Sequence, residues 1–139
     1  MASIQQMTGM RGVYLVAAEL SRLGFIASPT SRSAIGADIL VTDQSCKNAF
    51  SIQVKTNRKK AGFWLVGKKA KELVSESHVY SLVNLRPDLD PEIPDYYIVP
   101  SKVVAEKLVH DKNRRSEWYS VFVKDVATYK DAWSILGGS

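Results

Sequence analysis

The chain has 139 residues, of which 45% are hydrophobic, so its size predicts one domain that spans residues 1–139 and has its own core. Lys and Arg outnumber Asp and Glu by 19 to 14, which gives a formal net charge of +5 and favours an anionic partner such as nucleic acid. Cys46 is the only cysteine, which excludes an intramolecular disulfide and a cysteine-based zinc cluster and fits a reducing compartment. No stretch approaches the roughly 20 apolar residues of a membrane span, and the first residues do not resemble a secretory signal. These features predict a soluble cytoplasmic protein.

The first predicted element is an amphipathic helix over residues 8–23. Its apolar residues recur at helical spacing, and Gly24 is placed to end it. On a helical wheel of about 100 degrees per residue, Glu19 falls at the border of the apolar stripe. From there its carboxylate is able to point along the edge of a neighbouring sheet.

The rest of the chain alternates strand and helix patterns, which predicts a mixed α/β fold. The predicted elements are strands over 25–29, 37–42, 49–56 and 63–66, a basic helical turn or helix over 68–75, a strand over 78–85, a proline-rich loop over 86–95, a strand over 96–99, a helix from 100 to about 109, a strand over 117–123 and a final helix over 126–136. The short connections between the first three strands predict an antiparallel meander.

Polar residues on two of these strands are predicted to meet at one place. Apolar and polar residues alternate over 49–56, so Gln53 and Lys55 project from one face, about 6.6 Å apart along the strand. Asp38 stands at the head of the preceding strand, and a hairpin turn lays it beside them. Glu19 is expected to reach the same place from the helix.

This order of residues resembles the PD-(D/E)XK nuclease superfamily. The matching residues are Glu19 in AAEL, Asp38 in GADIL, and Gln53 with Lys55 in IQVKT, and the resemblance covers about residues 8 to 100. It implies a restriction endonuclease-like core, in which a mixed central sheet with an antiparallel meander is flanked by helices. It also implies a metal-dependent endonuclease that hydrolyses the phosphodiester bonds of DNA.

The resemblance implies a role for each residue. Asp38, the amide oxygen of Gln53, the backbone carbonyl of Val54 and Glu19 are expected to hold Mg²⁺, with Mn²⁺ able to substitute, because this ion prefers oxygen ligands. Lys55 is expected to orient the attacking water or steady the phosphate. With these roles Glu19, Asp38, Gln53 and Lys55 form the predicted catalytic set.

The sequence departs from the family pattern at two positions. Ala37 stands where a proline is usual, and Gln53 replaces the commoner acid, which removes one negative charge from the metal site. Two other interpretations therefore stay open. One is a non-catalytic nucleic-acid-binding or assembly subunit that retains the nuclease fold, and the other is a partner-binding domain in which Glu19, Asp38 and Lys55 form a buried ion network.

A dense block of positive charge follows the predicted active strand. Residues 55–72 contain seven basic residues and one acid. Two interpretations are equally open: the residues contact phosphate groups directly, or they form a solvated surface. Arg32 and its neighbouring hydroxyls precede Asp38 and are suited to clamping a phosphate. The predicted nucleic-acid-binding residues are Ser31, Arg32, Ser33, Arg58, Lys59, Lys60, Lys68 and Lys69.

The remaining aromatic and histidine residues receive structural interpretations. Trp64 is predicted to be a core residue, and His78 and His110 are given no catalytic role because neither has a second ligand at metal-binding spacing. A homodimer is expected, since paired subunits cut two strands symmetrically. The candidate dimer elements, which alternatively complete the core, are the last helix and Trp118, Tyr119, Val121 and Phe122.

Overall fold

The structure is a computed structural model that describes residues 1–31, 36–113 and 115–137. The strands within those ranges are β1 Ile26–Pro29, β2 Ile39–Thr42, β3 Ala49–Asn57, β4 Phe63–Leu65, β5 His78–Asn84, β6 Asp95–Pro100, β7 Val109–Asp111 and β8 Trp118–Phe122. The helices are α1 Ile4–Arg22, α2 Ser101–Lys107 and α3 Val123–Val126, with 3₁₀ turns at Lys68–Lys71, Ala127–Tyr129 and Trp133–Leu136. None of these helices is long and apolar enough to cross a membrane.

Helix α1 begins at Ile4, earlier than predicted, because a capping box closes its first turn. The Ser3 hydroxyl accepts the Gln6 N–H at 3.1 Å, and the Gln6 side-chain oxygen accepts the Ser3 N–H at 2.9 Å. The two bonds satisfy backbone donors that a helix leaves unpaired at its start. The extra turn extends the surface that α1 presents to the sheet.

A five-stranded mixed sheet, with strand order β1-β2-β3-β5-β6, forms the centre of the fold. The predicted antiparallel meander of β1, β2 and β3 is confirmed, and β3 then pairs with β5 in parallel. Every residue of β5 is buried, as its nearly continuous apolar sequence requires of a strand with neighbours on both sides. Strand β3, which carries Gln53 and Lys55, therefore lies in the middle of the sheet.

The sheet buries an apolar cluster on each of its two faces. On one face, Val16 and Leu20 of α1 pack with Ile52 and Val54 of β3. The other face carries a second cluster that includes Trp64, which is 1% exposed and donates its indole N–H to the Val83 carbonyl at 2.9 Å. The prediction that Trp64 is a core residue is confirmed.

A second sheet, with order β4-β8-β7, was not predicted. Residues 109–111 form strand β7 where a helix had been expected to end. Strand β8 lies between β7 and β4, so Trp118 packs against Phe63 with ring centroids 5.9 Å apart, Phe122 packs against the same ring, and Tyr119 stacks on His110 at 4.2 Å. Val121 is fully buried. The residues proposed as dimer elements thus pack within the chain.

The predicted final helix over 126–136 is wrong. The segment is broken into α3 and two 3₁₀ turns, because Asp131 adopts a positive φ of 54° and Lys130 forms an isolated β-bridge with Tyr97. The break turns Trp133 towards the first cluster, where its ring lies 5.5 Å from that of Tyr96. The spacing of apolar residues over 126–136 thus indicates that these residues are buried, but they do not form a continuous helix.

Candidate active site

Asp38 is fixed at the point where strand β2 begins. Its N–H donates to the Ile52 carbonyl at 2.8 Å, and its carbonyl accepts the Thr30 N–H at 2.9 Å. One carboxylate oxygen, Oδ2, accepts the backbone N–H of Val54 at 2.7 Å. The Asp38 side chain therefore adds one hydrogen bond to the ladder between β2 and β3, and this bond holds the carboxylate against β3.

Gln53 and Lys55 flank the amide that Asp38 binds. In β3 the buried side chains of Ile52 and Val54 alternate with the partly exposed side chains of Gln53 and Lys55, so the last two share the opposite face. The Val54 nitrogen is joined directly to Gln53. The structure thus brings Asp38 to the stretch of β3 that carries Gln53 and Lys55, as the sequence predicts.

The side-chain oxygen of Gln53 is buried and has no hydrogen-bond donor among the described residues. A buried acceptor without a donor is costly, so a cation or a water is the natural partner of this atom. Together with the Asp38 carboxylate and the Val54 carbonyl, it gives a set of oxygen donors. That set suits a hard divalent ion such as Mg²⁺.

The described residues of the site supply one negative charge, that of Asp38. No group of three or more His, Cys, Asp or Glu residues within the described ranges is arranged to hold a metal ion. The residues present fit a hard cation by the chemistry of their oxygen atoms, but Asp38 is the single carboxylate in the set. Further oxygen ligands must come from water or from the phosphate of a substrate.

Glu19 is not brought to this site, which corrects the sequence-based expectation. Its carboxylate accepts the Arg22 guanidinium, with Arg22 Nε 2.9 Å from Oε1, one turn along the same helix. The α1 residues that line a pocket together with Asp38 end at Tyr14, about 7.5 Å before Glu19 along the helix axis. Burial raises the pKa of Tyr96 in β6 to about 12 and the Glu19 charge adds to this effect, so Glu19 lies on the flank of α1 towards β6, about 120° round the helix from Val13.

The hypothesis of a buried ion network between Glu19, Asp38 and Lys55 is also wrong. Glu19 pairs with Arg22, and Lys55 makes no ion pair with any residue that the structure describes. Lys55 instead lines a cavity of about 540 Å³ together with Gln5, Trp64 and Trp118. Its ammonium group is therefore available to a ligand.

A pocket of about 340 Å³ opens over Asp38 between α1 and the end of β1. Its described lining residues are Gln6, Gly9, Met10, Val13, Tyr14, Pro29, Thr30, Ser31, Asp38 and Val54. The α1 residues were missed by the sequence analysis, although their spacing of three and four residues marks one helix face. Ser31 lies here as predicted, whereas Arg32 and Ser33 are outside the described residues.

His78 and Tyr80 extend the polar side of the site, although the sequence gave His78 no role. They lie beside Ser51 and Gln53 in the parallel register of β3 and β5, and the Ser51 hydroxyl is 2.6 Å from His78 Nδ1. The Tyr80 hydroxyl and His78 Nε2 are buried without a partner among the residues described. Burial lowers the pKa of His78, against the opposing effects of the Ser51 hydrogen bond and the charge of Asp38.

The predicted phosphate-binding residues lie at the surface. Arg58, Lys59 and Lys60 are exposed in the turn directly after β3, and Lys68 and Lys69 are exposed in a 3₁₀ turn that is shorter than the predicted 68–75 segment. None of the five forms an ion pair with another described residue. Their positive charge therefore faces solvent, and Arg58, Lys59 and Lys60 lie next to the end of β3 that carries Lys55.

These elements define a restriction endonuclease-like fold, and solved structures share it. The chain is similar to Hjc, a Holliday junction resolvase from Archaeoglobus fulgidus, with a TM-score of 0.58 and 15% identity over 94% of this chain and 97% of the other. It is also similar to the bacterial homing endonuclease I-Ssp6803I, with a TM-score of 0.56 and 16% identity over 97% of this chain and 91% of the other. The resemblance to PD-(D/E)XK nucleases is thereby confirmed for the fold.

No protein-family model matches the chain, and no curated protein matches its sequence significantly. At this level of identity the structural likeness establishes the fold alone. The chemistry must therefore be argued from the site itself.

Proposed function

We propose that this protein is a metal-dependent endonuclease that hydrolyses the phosphodiester bonds of DNA. The observation that carries the proposal is the meeting of Asp38 with β3 at Val54, the neighbour of Gln53, whose buried side-chain oxygen has no donor among the described residues. The fold supports it, because the two similar structures are a Holliday junction resolvase and a homing endonuclease. The formal charge of +5 favours a polyanionic substrate.

Each residue has a distinct task in this mechanism. Asp38, Gln53 and the Val54 carbonyl would hold Mg²⁺ or Mn²⁺, which when bound favours hydroxide formation from water and offsets charge on the phosphate. The Lys55 ammonium, which has no ion pair within the described residues, orients the attacking water or binds a phosphoryl oxygen. The main-chain bond from Val54 keeps the Asp38 carboxylate in one orientation.

The single carboxylate also supports a second candidate function, a DNA-binding or assembly subunit without catalysis. With one acidic ligand the site binds a cation more weakly than a site with two. Such a subunit would bind DNA through the exposed lysines and arginines and cut nothing. The two functions differ in metal-dependent cleavage, which one experiment measures.

The test is cleavage of supercoiled plasmid and of branched DNA in Mg²⁺, Mn²⁺ or EDTA. Wild type should cut in either metal and not in EDTA, and Asp38→Asn and Lys55→Met should each reduce the rate at least 100-fold while retaining the circular dichroism spectrum of the folded protein. Glu19→Gln is the matched control, since its carboxylate pairs with Arg22, and it should cut at the wild-type rate. Salt-sensitive DNA binding by a wild type that never cuts would favour the non-catalytic subunit.

We further propose that two copies of the chain act together. One site cuts one strand at a time, whereas a two-fold pair presents two sites symmetrically to a duplex or a branch. Sedimentation of the protein with and without branched DNA measures the stoichiometry directly. A complex with a single copy that still cuts both strands would contradict the proposal.

A further inference from the structure

The described walls of the pocket over Asp38 are mostly uncharged. Among the described residues that line it, Asp38 is the only charged one, so away from Asp38 the described lining offers no positive charge to a phosphate. Within the part of the chain that the structure describes, the exposed basic residues predicted to contact phosphates lie elsewhere, in the turn after β3 and in the 3₁₀ turn Lys68–Lys71. The pocket therefore suits a neutral group of a nucleic-acid substrate.

The walls are apolar and aromatic where α1 forms them. Met10, Val13 and Tyr14 lie on this side, and Pro29 faces them from the end of β1. Tyr14 is 60% exposed, so its ring is available at the mouth of the pocket. An exposed aromatic ring beside an apolar pocket is suited to stacking with a nucleobase.

Polar groups at the rim match the edge of a base. Gln6 uses its side-chain oxygen in the helix cap, which leaves its amide nitrogen as a donor towards the pocket. Thr30 donates its hydroxyl to the Ala37 carbonyl at 2.6 Å, which leaves the lone pairs of its oxygen as acceptors. A neutral, planar group with donors and acceptors on its edge is complementary to this lining.

Gly9 keeps the pocket open. A Cβ atom built at this position meets no described atom within 4 Å, so none of the described residues fills the space beside the helix backbone here. The volume of about 340 Å³ lies at the lower end of the range for small-molecule sites, roughly 300–1,000 Å³. The pocket is thus sized for a single planar ring system.

We propose that this pocket binds one unstacked nucleobase, held against Tyr14, next to the phosphate that is attacked at Asp38. The inference rests on the proposed function in taking nucleic acid as the substrate, and it names the substrate class as DNA with an unpaired nucleotide, such as a branch, a flap or a mismatch. A base inside a regular duplex is stacked and must first be extruded, which costs a few kcal/mol. Substrates that already contain an unpaired base bind more tightly for that reason.

The test uses oligonucleotides with 2-aminopurine at an unpaired position, and fully paired duplexes for comparison. Binding is measured by fluorescence in the Asp38→Asn background, so that neither cleavage nor metal affects the result. The starting protein should change the 2-aminopurine emission and prefer the unpaired substrate. Adding Tyr14→Ala should weaken that binding roughly ten-fold, within the effect expected for loss of one stacked base, and leave duplex binding unchanged.

Two matched controls separate pocket occupancy from folding. Tyr14→Phe retains the ring and should retain the emission change. Gly9→Leu fills the pocket and should abolish the preference for the unpaired base, whereas Gly9→Ala at the same position should keep it. Equal binding of paired and unpaired DNA by the starting protein, or full binding by Gly9→Leu and Tyr14→Ala, would overturn the proposal. An emission change in a protein whose wild type cuts nothing would support this pocket and contradict the nuclease.

Discussion

The Asp38 carboxylate accepts the backbone N–H of Val54 at 2.7 Å, one residue before β2 begins its pairing with β3. The Asp38 side chain takes the place of a main-chain acceptor, so the hydrogen-bonding pattern between β2 and β3 orients the carboxylate. Gln53 and Lys55 are the neighbours of that N–H on both sides. One hydrogen bond thus links the start of β2 to the two side chains with which Asp38 is proposed to act.

Asp38 is the one acid among the described residues of this site, and this gives the first prediction. Gln53→Glu adds a negative charge at the buried oxygen, so the affinity for Mn²⁺ should rise about ten-fold or more, as measured by calorimetry. In the absence of metal, repulsion from Asp38 should raise the pKa of the new carboxyl. Gln44→Glu adds the same charge in the exposed turn and should leave the Mn²⁺ affinity unchanged. Equal affinities for wild type and Gln53→Glu would show that residue 53 is not a ligand.

The close approach of α1 to β3 gives the second prediction. A Cβ atom built at Gly12 lies only 1.8 Å from Thr56 Oγ1, so Gly12→Ala must push the helix or the strand away. Overpacking of this kind typically lowers the free energy of unfolding by about 1–3 kcal/mol, which urea titration measures.

Two variants control this measurement. Gly9→Ala lies in the same helix with open space around it, and should raise stability by up to about 1 kcal/mol through helix propensity alone. Thr56→Ala removes the nearest atom and should partly rescue Gly12→Ala. A Gly12→Ala protein as stable as wild type would mean that the helix does not contact β3 this closely.

The sequence was sufficient to predict the strand residues of the site but not the helix residues. Period-two alternation fixes the faces of Gln53 and Lys55, and the order of β2 and β3 fixes their neighbour Asp38. The height of a helix along a sheet depends on packing, here on the contact between Gly12 and Thr56, which periodicity does not encode. Glu19 borders the apolar stripe on the flank towards β6 and not on the flank towards Asp38, and the helical wheel does not distinguish the two flanks.

Long-range contacts also explain the errors in the C-terminal part. Residues 109–111 become a strand because Val109, His110 and Asp111 pair with β8, a partner that their own short sequence does not specify. Helical spacing over 126–136 reflects burial of residues such as Trp133 and Leu136 from irregular backbone. Local sequence patterns therefore predicted which residues are buried. The secondary structure of these segments depended on pairing with distant parts of the chain.

The buried histidine gives the third prediction, on stability as a function of pH. Burial lowers the pKa of His78 in the folded protein, although the Ser51 hydrogen bond and Asp38 oppose it, while in the unfolded chain it titrates near about 6.5. The unfolded state therefore gains a proton first as the pH falls. The associated stability is fully present above pH 6.5 and declines until the pH has passed the lower folded-state value.

Urea unfolding in EDTA between pH 7.5 and about 5 measures this effect in a window above the ordinary carboxyl pKa values. Wild type should lose stability across the window, and His78→Gln should give a flatter profile. His110→Gln removes the other histidine and should leave the decline in place. An unchanged slope in His78→Gln would assign the pH dependence to another group.

The exposed lysines at the two ends of β3 give the fourth prediction. Lys59 follows the end of β3 near Lys55, whereas Lys47 precedes its start, roughly 26 Å away along a strand of this length. If Lys59 contacts a phosphate, Lys59→Ala should weaken duplex binding and reduce the slope of log affinity against log salt by about 0.9. Lys47→Ala removes the same charge at the far end and should change neither the slope nor, at moderate salt, the affinity.

Fluorescence anisotropy between about 50 and 200 mM salt covers the range in which such contacts have their largest effect. Equal slopes for the two variants would mean that Lys59 does not contact the DNA backbone, and the proposed phosphate path would then have to avoid the turn after β3.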